Sequence, residues 1–168
     1  EAGGADRIEL CGTMADGGLS PAPALVEQVR RATSIQLRVM VRLRDGFSTD
    51  GGEAVRLRGL IASYLSAGAD GMVLGFLNGL GEVDKEVVGE LIGDAEWPWT
   101  FHRALDAALD LDRAWRALAD LPRLDQVLTA GSPRGVEFGL DELLGRARSD
   151  PWAAQVIMAG GGLRPDDV

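Results

Sequence analysis

Gln36-Leu37-Arg38-Val39-Met40-Val41-Arg42-Leu43-Arg44 alternates apolar and polar residues almost without interruption. Side chains alternate faces along a strand, so Leu37, Val39 and Val41 share one face while Arg38, Met40, Arg42 and Arg44 share the other. Two more short runs read the same way. In Arg7–Cys11, Ile8 and Leu10 oppose Arg7, Glu9 and Cys11; in Trp99–Arg103, Thr100 and His102 oppose Phe101. A central strand of an open doubly wound sheet is covered by helices on both faces and is apolar on both. One apolar and one polar face instead suit a closed barrel, with the apolar face against a ring of helices and the polar face inside.

Working outward, further strands are expected at Gly71–Gly75, Gln126–Thr129 and Gln155–Ala159. Helices are expected between them at Ala22–Ala32, Glu53–Ala67, Lys85–Ile92, Leu111–Leu121 and Leu140–Arg148, where apolar residues recur at three- and four-residue steps. Leu25, Val26 and Val29 form one such stripe, and Leu60, Ile61, Tyr64 and Leu65 another. Asp110 and Ser20 suit N-cap positions, the latter with Pro21 just inside. Strand starts near residues 7, 36, 71, 99, 126 and 155 lie roughly one βα unit apart. Strict alternation of β and α implies a parallel sheet. Ala2-Gly3-Gly4-Ala5-Asp6 before the first strand echoes Ser66-Ala67-Gly68-Ala69-Asp70 before the third. In each, a Gly would end a helix and an Asp would lead into a strand.

Six such units fill the 168 residues, read as a single domain over residues 1–168. A complete (β/α)₈ barrel typically takes about 250 residues. The expectation is therefore an incomplete TIM-type barrel. Pro165-Asp166-Asp167-Val168 reads as the first turn of another helix, and the Glu1–Asp6 start as the end of a preceding one.

Composition narrows the partners. The chain is 46% hydrophobic and 26% charged, which permits an ordinary core, and its net charge is −9 with both signs interspersed. Binding a phosphate backbone would call for a basic patch, and none is visible, so nucleic acid is not expected. Anionic membranes are disfavoured for the same reason, and no apolar run reaches membrane-spanning length. The one cysteine, Cys11, permits no intrachain disulfide and is compatible with a reducing cytoplasm.

Active sites of such barrels lie at the C-terminal ends of the strands. That rim would carry Cys11, Arg42, Arg44, His102, Arg103, Asp106, Thr129, Ser132 and Gly160–Gly162. Glu9 would sit inside the barrel, facing Arg38 or Arg42, and buried charges need such a partner whatever their function.

Six stretches in order carry a further signal: Gly4–Cys11, Gly17–Pro21, Arg42–Phe47, Thr100–Asp106, Val127–Gly131 and Ile157–Leu163. Together they resemble the copper homeostasis protein CutC family. Gly4-Ala5-Asp6-Arg7-Ile8-Glu9-Leu10-Cys11 resembles its second strand, and Gly17-Gly18-Leu19-Ser20-Pro21 its Gly-Gly-Leu-Thr-Pro turn. Arg42-Leu43-Arg44-Asp45-Gly46-Phe47 is similar to its Arg-Pro-Arg-Gly-Gly-Asp-Phe loop, with Leu43 in place of Pro. Thr100-Phe101-His102-Arg103-Ala104-Leu105-Asp106, Val127-Leu128-Thr129-Ala130-Gly131 and Ile157-Met158-Ala159-Gly160-Gly161-Gly162-Leu163 complete the set. The resemblance implies strands two to seven of the barrel, with the first strand (and its additional cysteine) and the eighth missing. Open edges on strands two and seven would favour self-association of an isolated chain.

Two readings of the rim stand side by side. The resemblance implies cytoplasmic copper homeostasis through copper binding, with Cys11 and His102 as soft ligands and Met14 and Met40 nearby in sequence. Alternatively, Cys11 is a small buried hydrophobe and Met14 and Met40 simply pack. The second reading is an enzyme acting on a small anionic or phosphorylated metabolite. Gly160, Gly161 and Gly162, with Arg44, Arg103 and Thr129, would hold the anion; Glu9 and His102 would serve as acid and base beside Arg42, with Asp106 orienting His102. A tight turn at the glycines and a structural His102 are the plainer alternatives.

Overall fold

Strands and helices alternate along the chain in the computed structural model, which describes residues 4–14 and 18–164. Gly17 of the Gly-Gly-Leu-Ser-Pro turn, Ala2 and Gly3 of the echo, and the expected turn of helix at Pro165–Val168 lie outside the described residues. The strands are β1 (Arg7–Leu10), β2 (Gln36–Met40), β3 (Gly71–Leu74), β4 (Trp99–Phe101), β5 (Leu124–Thr129) and β6 (Ile157–Ala159). They form one six-stranded sheet in chain order, β1 to β6. The helices are α1 (Pro23–Ala32), α2 (Gly51–Ser66), α3 (Lys85–Ile92), α4 (Leu111–Ala119), α5 (Val136–Ser149) and α6 (Pro151–Val156). The chain divides into two compact units, the first running to Leu74 and adding Glu86–Trp99, the second comprising Gly75–Lys85 and Thr100 onward.

In the first unit β1, β2 and β3 pair in parallel, with Glu9 opposite Arg38 and Val39 opposite Met72. Leu37, Val39 and Val41 are fully buried, as their shared apolar face requires, together with Val26, Leu57, Tyr64 and Met72. Arg38 on the opposite face is fully buried too. β2 ends two residues before the expected Arg42, although the Val41 N–H still donates to the Val73 carbonyl at 2.9 Å.

Helix ends follow local chemistry. Asp50 caps α2, accepting from the Glu53 N–H at 2.9 Å. At its other end the Gly68 and Ala69 N–H groups donate to the Leu65 and Tyr64 carbonyls at 3.1 and 3.0 Å. This is a glycine-terminated Schellman motif, and Gly68 supplies the required positive φ of 95°. The same loop continues into Asp70, whose carboxylate accepts from the Leu37 N–H at 2.8 Å and from Arg30 at 2.9 Å. The Ala-Gly-Ala-Asp pattern thus both ends a helix and sets the next strand beside β2. Ser20 is not a cap, contrary to expectation. α1 starts at Pro23 behind Ala22, and the Ser20 hydroxyl instead bridges the Met40 carbonyl (3.1 Å) and the Arg42 N–H (2.9 Å).

In the second unit β5 and β6 pair in parallel, Thr129 opposite Ala159. Phe101, Leu105, Leu118, Val127 and Ala153 are buried. Asp110 caps α4 as expected, accepting from the Arg113 N–H at 2.9 Å. Two elements were not expected. A 3₁₀ turn spans Arg103–Ala107, and α6 occupies residues read as the start of the last strand. Pro151 cannot continue α5 but fits the first turn of a new helix, and Asp150 caps it by accepting from the Trp152 and Ala153 N–H groups.

Tyr64 anchors α2, its hydroxyl donating to the Pro21 carbonyl at 2.6 Å with the residue fully buried. Burial raises its pKa above the ordinary 10.0. Folding thus favours the protonated phenol, and stability fully present at lower pH declines as pH rises through and beyond that value. Tyr64→Phe is expected to cost about 1 kcal/mol at neutral pH and to flatten the alkaline decline, read by urea denaturation of the full-length protein at neutral and alkaline pH.

Candidate functional site

The expected site residues fall into two clusters, one in each unit. The first lies at the C-terminal ends of β1 and β2. Cys11 follows β1 directly and is half-buried; its Sγ donates to the Sδ of the exposed Met14 at 3.2 Å. Met40 is the last residue of β2. Gly18 sits between the sulfur side chains with φ of 100°. A Cβ there would lie 3.6 Å from the Met40 methyl and 3.8 Å from Cys11 Sγ. Only glycine leaves that space open.

Arg42 and Arg44 serve this region structurally. Arg42 is buried, donating to the carbonyls of Gly18 (3.2 Å) and Gly46 (3.0 Å) and pairing with Asp45 at 3.0 Å, its guanidinium 5.2 Å from the Phe47 ring centre. It therefore fixes the Gly18 loop beside the sulfurs. Arg44 pairs with the buried Glu53 at 3.0 Å, and Thr49 donates to the same carboxylate at 2.7 Å. The strand register sets Glu9 opposite Arg38, one of its two expected partners.

The second cluster centres on Asp106, which is 5% exposed. Its Oδ1 accepts from the Thr129 hydroxyl at 2.5 Å. Its Oδ2 accepts from the Ala130 N–H at 3.0 Å and from Arg103 Nε at 2.8 Å. The expectation that Asp106 orients His102 is corrected here, because among the described residues every donor on this carboxylate comes from Arg103, Thr129 or Ala130. His102 is buried, and its Nδ1 accepts from the Ala104 N–H at 3.2 Å, capping the 3₁₀ turn. Gly75 makes room for it: a Cβ there would stand 2.8 Å from Nδ1.

Arg103 reaches from Asp106 to the glycine loop after β6. A Cβ on Gly161 would lie within 2.8 Å of its Nε and Nη1, so the guanidinium rests against bare backbone. Gly160 continues the β5–β6 ladder through its N–H to the Thr129 carbonyl at 3.0 Å.

A separate groove of about 430 Å³, lined by Glu82, Lys85, Asp110, Arg113 and Asp120, holds none of the expected residues. Two ion pairs lie in it, Arg113 with Glu82 at 2.5 Å and Lys85 with Asp120 at 2.7 Å. Among the described residues no three His, Cys, Asp or Glu side chains gather in a way that would hold a metal ion. Met14, near Cys11 in sequence, is in contact with its sulfur.

The model of the CutC family matches residues 1–168. The chain belongs to the CutC family. It is 36% identical over 165 residues to a human protein named copper homeostasis protein cutC homolog, covering 97% of this chain and 60% of that one. It is 35% identical to the CutC family protein of Klebsiella pneumoniae, covering 96% and 65%. The chain therefore spans less than two thirds of the length of these relatives. Among solved structures it is similar to a putative copper homeostasis protein CutC from Streptococcus agalactiae, with a TM-score of 0.85, 25% identity, and coverage of 96% and 80%. A putative dihydrodipicolinate synthetase from Pseudomonas aeruginosa shares the fold at 12% identity and a TM-score of 0.59. In this CutC chain the Thr-Phe-His-Arg-Ala-Leu-Asp stretch thus combines a capping His102, a reaching Arg103 and an anchoring Asp106.

Asp106→Asn replaces an acceptor-only carboxylate with an amide that must aim N–H groups at existing donors. It is expected to destabilise the protein by about 2–3 kcal/mol in urea denaturation, the cost of a buried hydrogen-bonding conflict. Asp110→Asn, at an exposed cap that Asn also serves well, is the control and is expected to stay near neutral.

Proposed function

We propose that this CutC chain acts in cytoplasmic copper homeostasis by holding copper(I) at the sulfur cluster of Cys11, Met14 and Met40. The observation that carries the reading is the contact of Cys11 Sγ with Met14 Sδ at 3.2 Å, beside the Met40 methyl across Gly18. Thiolate and thioether donors together suit copper(I): the thiolate alone would also accept zinc, whereas the hard divalent ions favour carboxylate, carbonyl and water oxygens. Arg42 supports the cluster from beneath by holding the Gly18 carbonyl at 3.2 Å. His102 is the other soft donor of the sequence, but its Nδ1 is engaged with the Ala104 N–H. The names of the relatives, copper homeostasis protein, support the same reading.

The six strands in chain order are read as strands two to seven of a (β/α)₈ barrel. Each cluster follows the C-terminal ends of strands in its own unit, the end at which barrels carry their function. Among the described residues no helix is long and apolar enough to cross a membrane.

A chelator competition titration of reduced full-length protein with copper(I) tests the proposal. One tightly bound ion is expected, lost in Cys11→Ser, with Met14→Leu and Met40→Leu each weakening binding about tenfold, or 1.4 kcal/mol. Binding that survives Cys11→Ser unchanged, or that is lost only in His102→Ala, would refute the assignment.

A further inference from the structure

The second unit holds a set of hydrogen-bond donors that neither the copper reading nor the packing uses. Arg103 spends its Nε on Asp106 at 2.8 Å, and its Nη2 lies 3.4 Å from the Ser132 and Pro133 carbonyls. Its Nη1 has no acceptor among the described residues and lies against Gly161. The side chain is 35% exposed. Beside it, the N–H groups of Gly161 and Gly162 donate to no acceptor among the described residues, whereas the neighbouring Gly160 N–H is satisfied by Thr129. Gly161 and Gly162 hold φ of 110° and 92°, and a Cβ on Gly162 would meet nothing within 4 Å. The N-terminus of the fourteen-residue α5 adjoins the same turn. Its Val136 N–H donates to the Gly161 carbonyl at 3.0 Å, and Gly135 gives it no side-chain cap.

We propose that Arg103 and the backbone amides of Gly161 and Gly162 form a phosphate-binding subsite for a small phosphorylated molecule, with Asp106 as the residue that positions Arg103. One guanidinium and two backbone amides offer several donors to one anion, which suits a tetrahedral dianion with several oxygens better than a planar carboxylate, and the adjoining N-terminus of α5 adds favourable potential. Asp106 fits its part because it is buried and accepts donors from Thr129 and Ala130 as well as Arg103. It is thereby fixed before it orients the guanidinium. The first-unit sulfur cluster plays no part, so this proposal stands or falls independently of copper binding.

The bland competitor is a purely structural Arg103 that ties the Ser132–Pro133 carbonyls to the glycine loop. The test is an amide-resolved NMR titration of full-length protein with inorganic phosphate at constant ionic strength, with acetate as a parallel arm. Saturable shifts confined to Gly160–Gly162 and the start of α5 are expected with phosphate. In Arg103→Gln the affinity should fall at least about tenfold, and Arg103→Lys, which keeps the charge but not the fork, should recover part of it. Asp106→Asn should weaken phosphate binding as well. If it unfolds, the wild-type and Arg103 titrations still decide. No saturable shift at the glycine loop by about 10 mM phosphate, affinity unchanged in Arg103→Gln, or acetate binding as tightly as phosphate would each overturn the proposal.

Discussion

Arg38 lies in the middle of β2 with no exposure at all, opposite Glu9 in the parallel register. A buried guanidinium is costly unless neighbouring groups compensate it, and that requirement shapes much of the first unit. The register that sets Arg38 beside Glu9 also stacks Leu37, Val39 and Val41 on the opposite, fully buried face. A slip of one residue would move every side chain to the wrong face. Gly71 follows from the same crowding, since a Cβ there would lie 3.6 Å from Arg38 Cγ and overlap the Pro98 carbonyl oxygen.

Charge burial recurs at the loops around both clusters. Arg42 is buried by donating to loop carbonyls, Glu53 by accepting from Thr49 and Arg44, and Asp106 by accepting from a hydroxyl, an amide and a guanidinium. Each is a polar anchor that fixes a loop after a strand. What remains beyond those anchors is chemically distinct in the two units, with sulfur beside Gly18 and cationic and amide donors beside Gly161. Both loops depend on glycine at positive φ, where a side chain would be strained and would fill the space.

The faces of the strands, the βα period and the Asp110 cap were legible in the sequence because each depends on a pattern within one element. Other features rest on contacts between segments far apart in the chain. Ser20 looked like a cap beside Pro21, yet its hydroxyl is taken by Met40 and Arg42, twenty or more residues away. Asp106 lies four residues from His102 and was read as its partner, but Thr129 and Ala130 claim the carboxylate. The last strand was expected from Gln155, but a new helix begins at Pro151 and leaves only Ile157–Ala159 to the strand. The proximity of Met14 to Cys11 was visible as spacing, whereas the approach of Met40 came only with β2 beside β1.

At the proposed copper(I) site sulfur atoms, and no imidazole, surround the ion. X-ray absorption of the full-length protein loaded with one equivalent of copper(I) tests it most directly. A first shell of sulfur scatterers alone, losing intensity in Met14→Leu and Met40→Leu, is the predicted result. A shell containing the ring scattering of a histidine would contradict it.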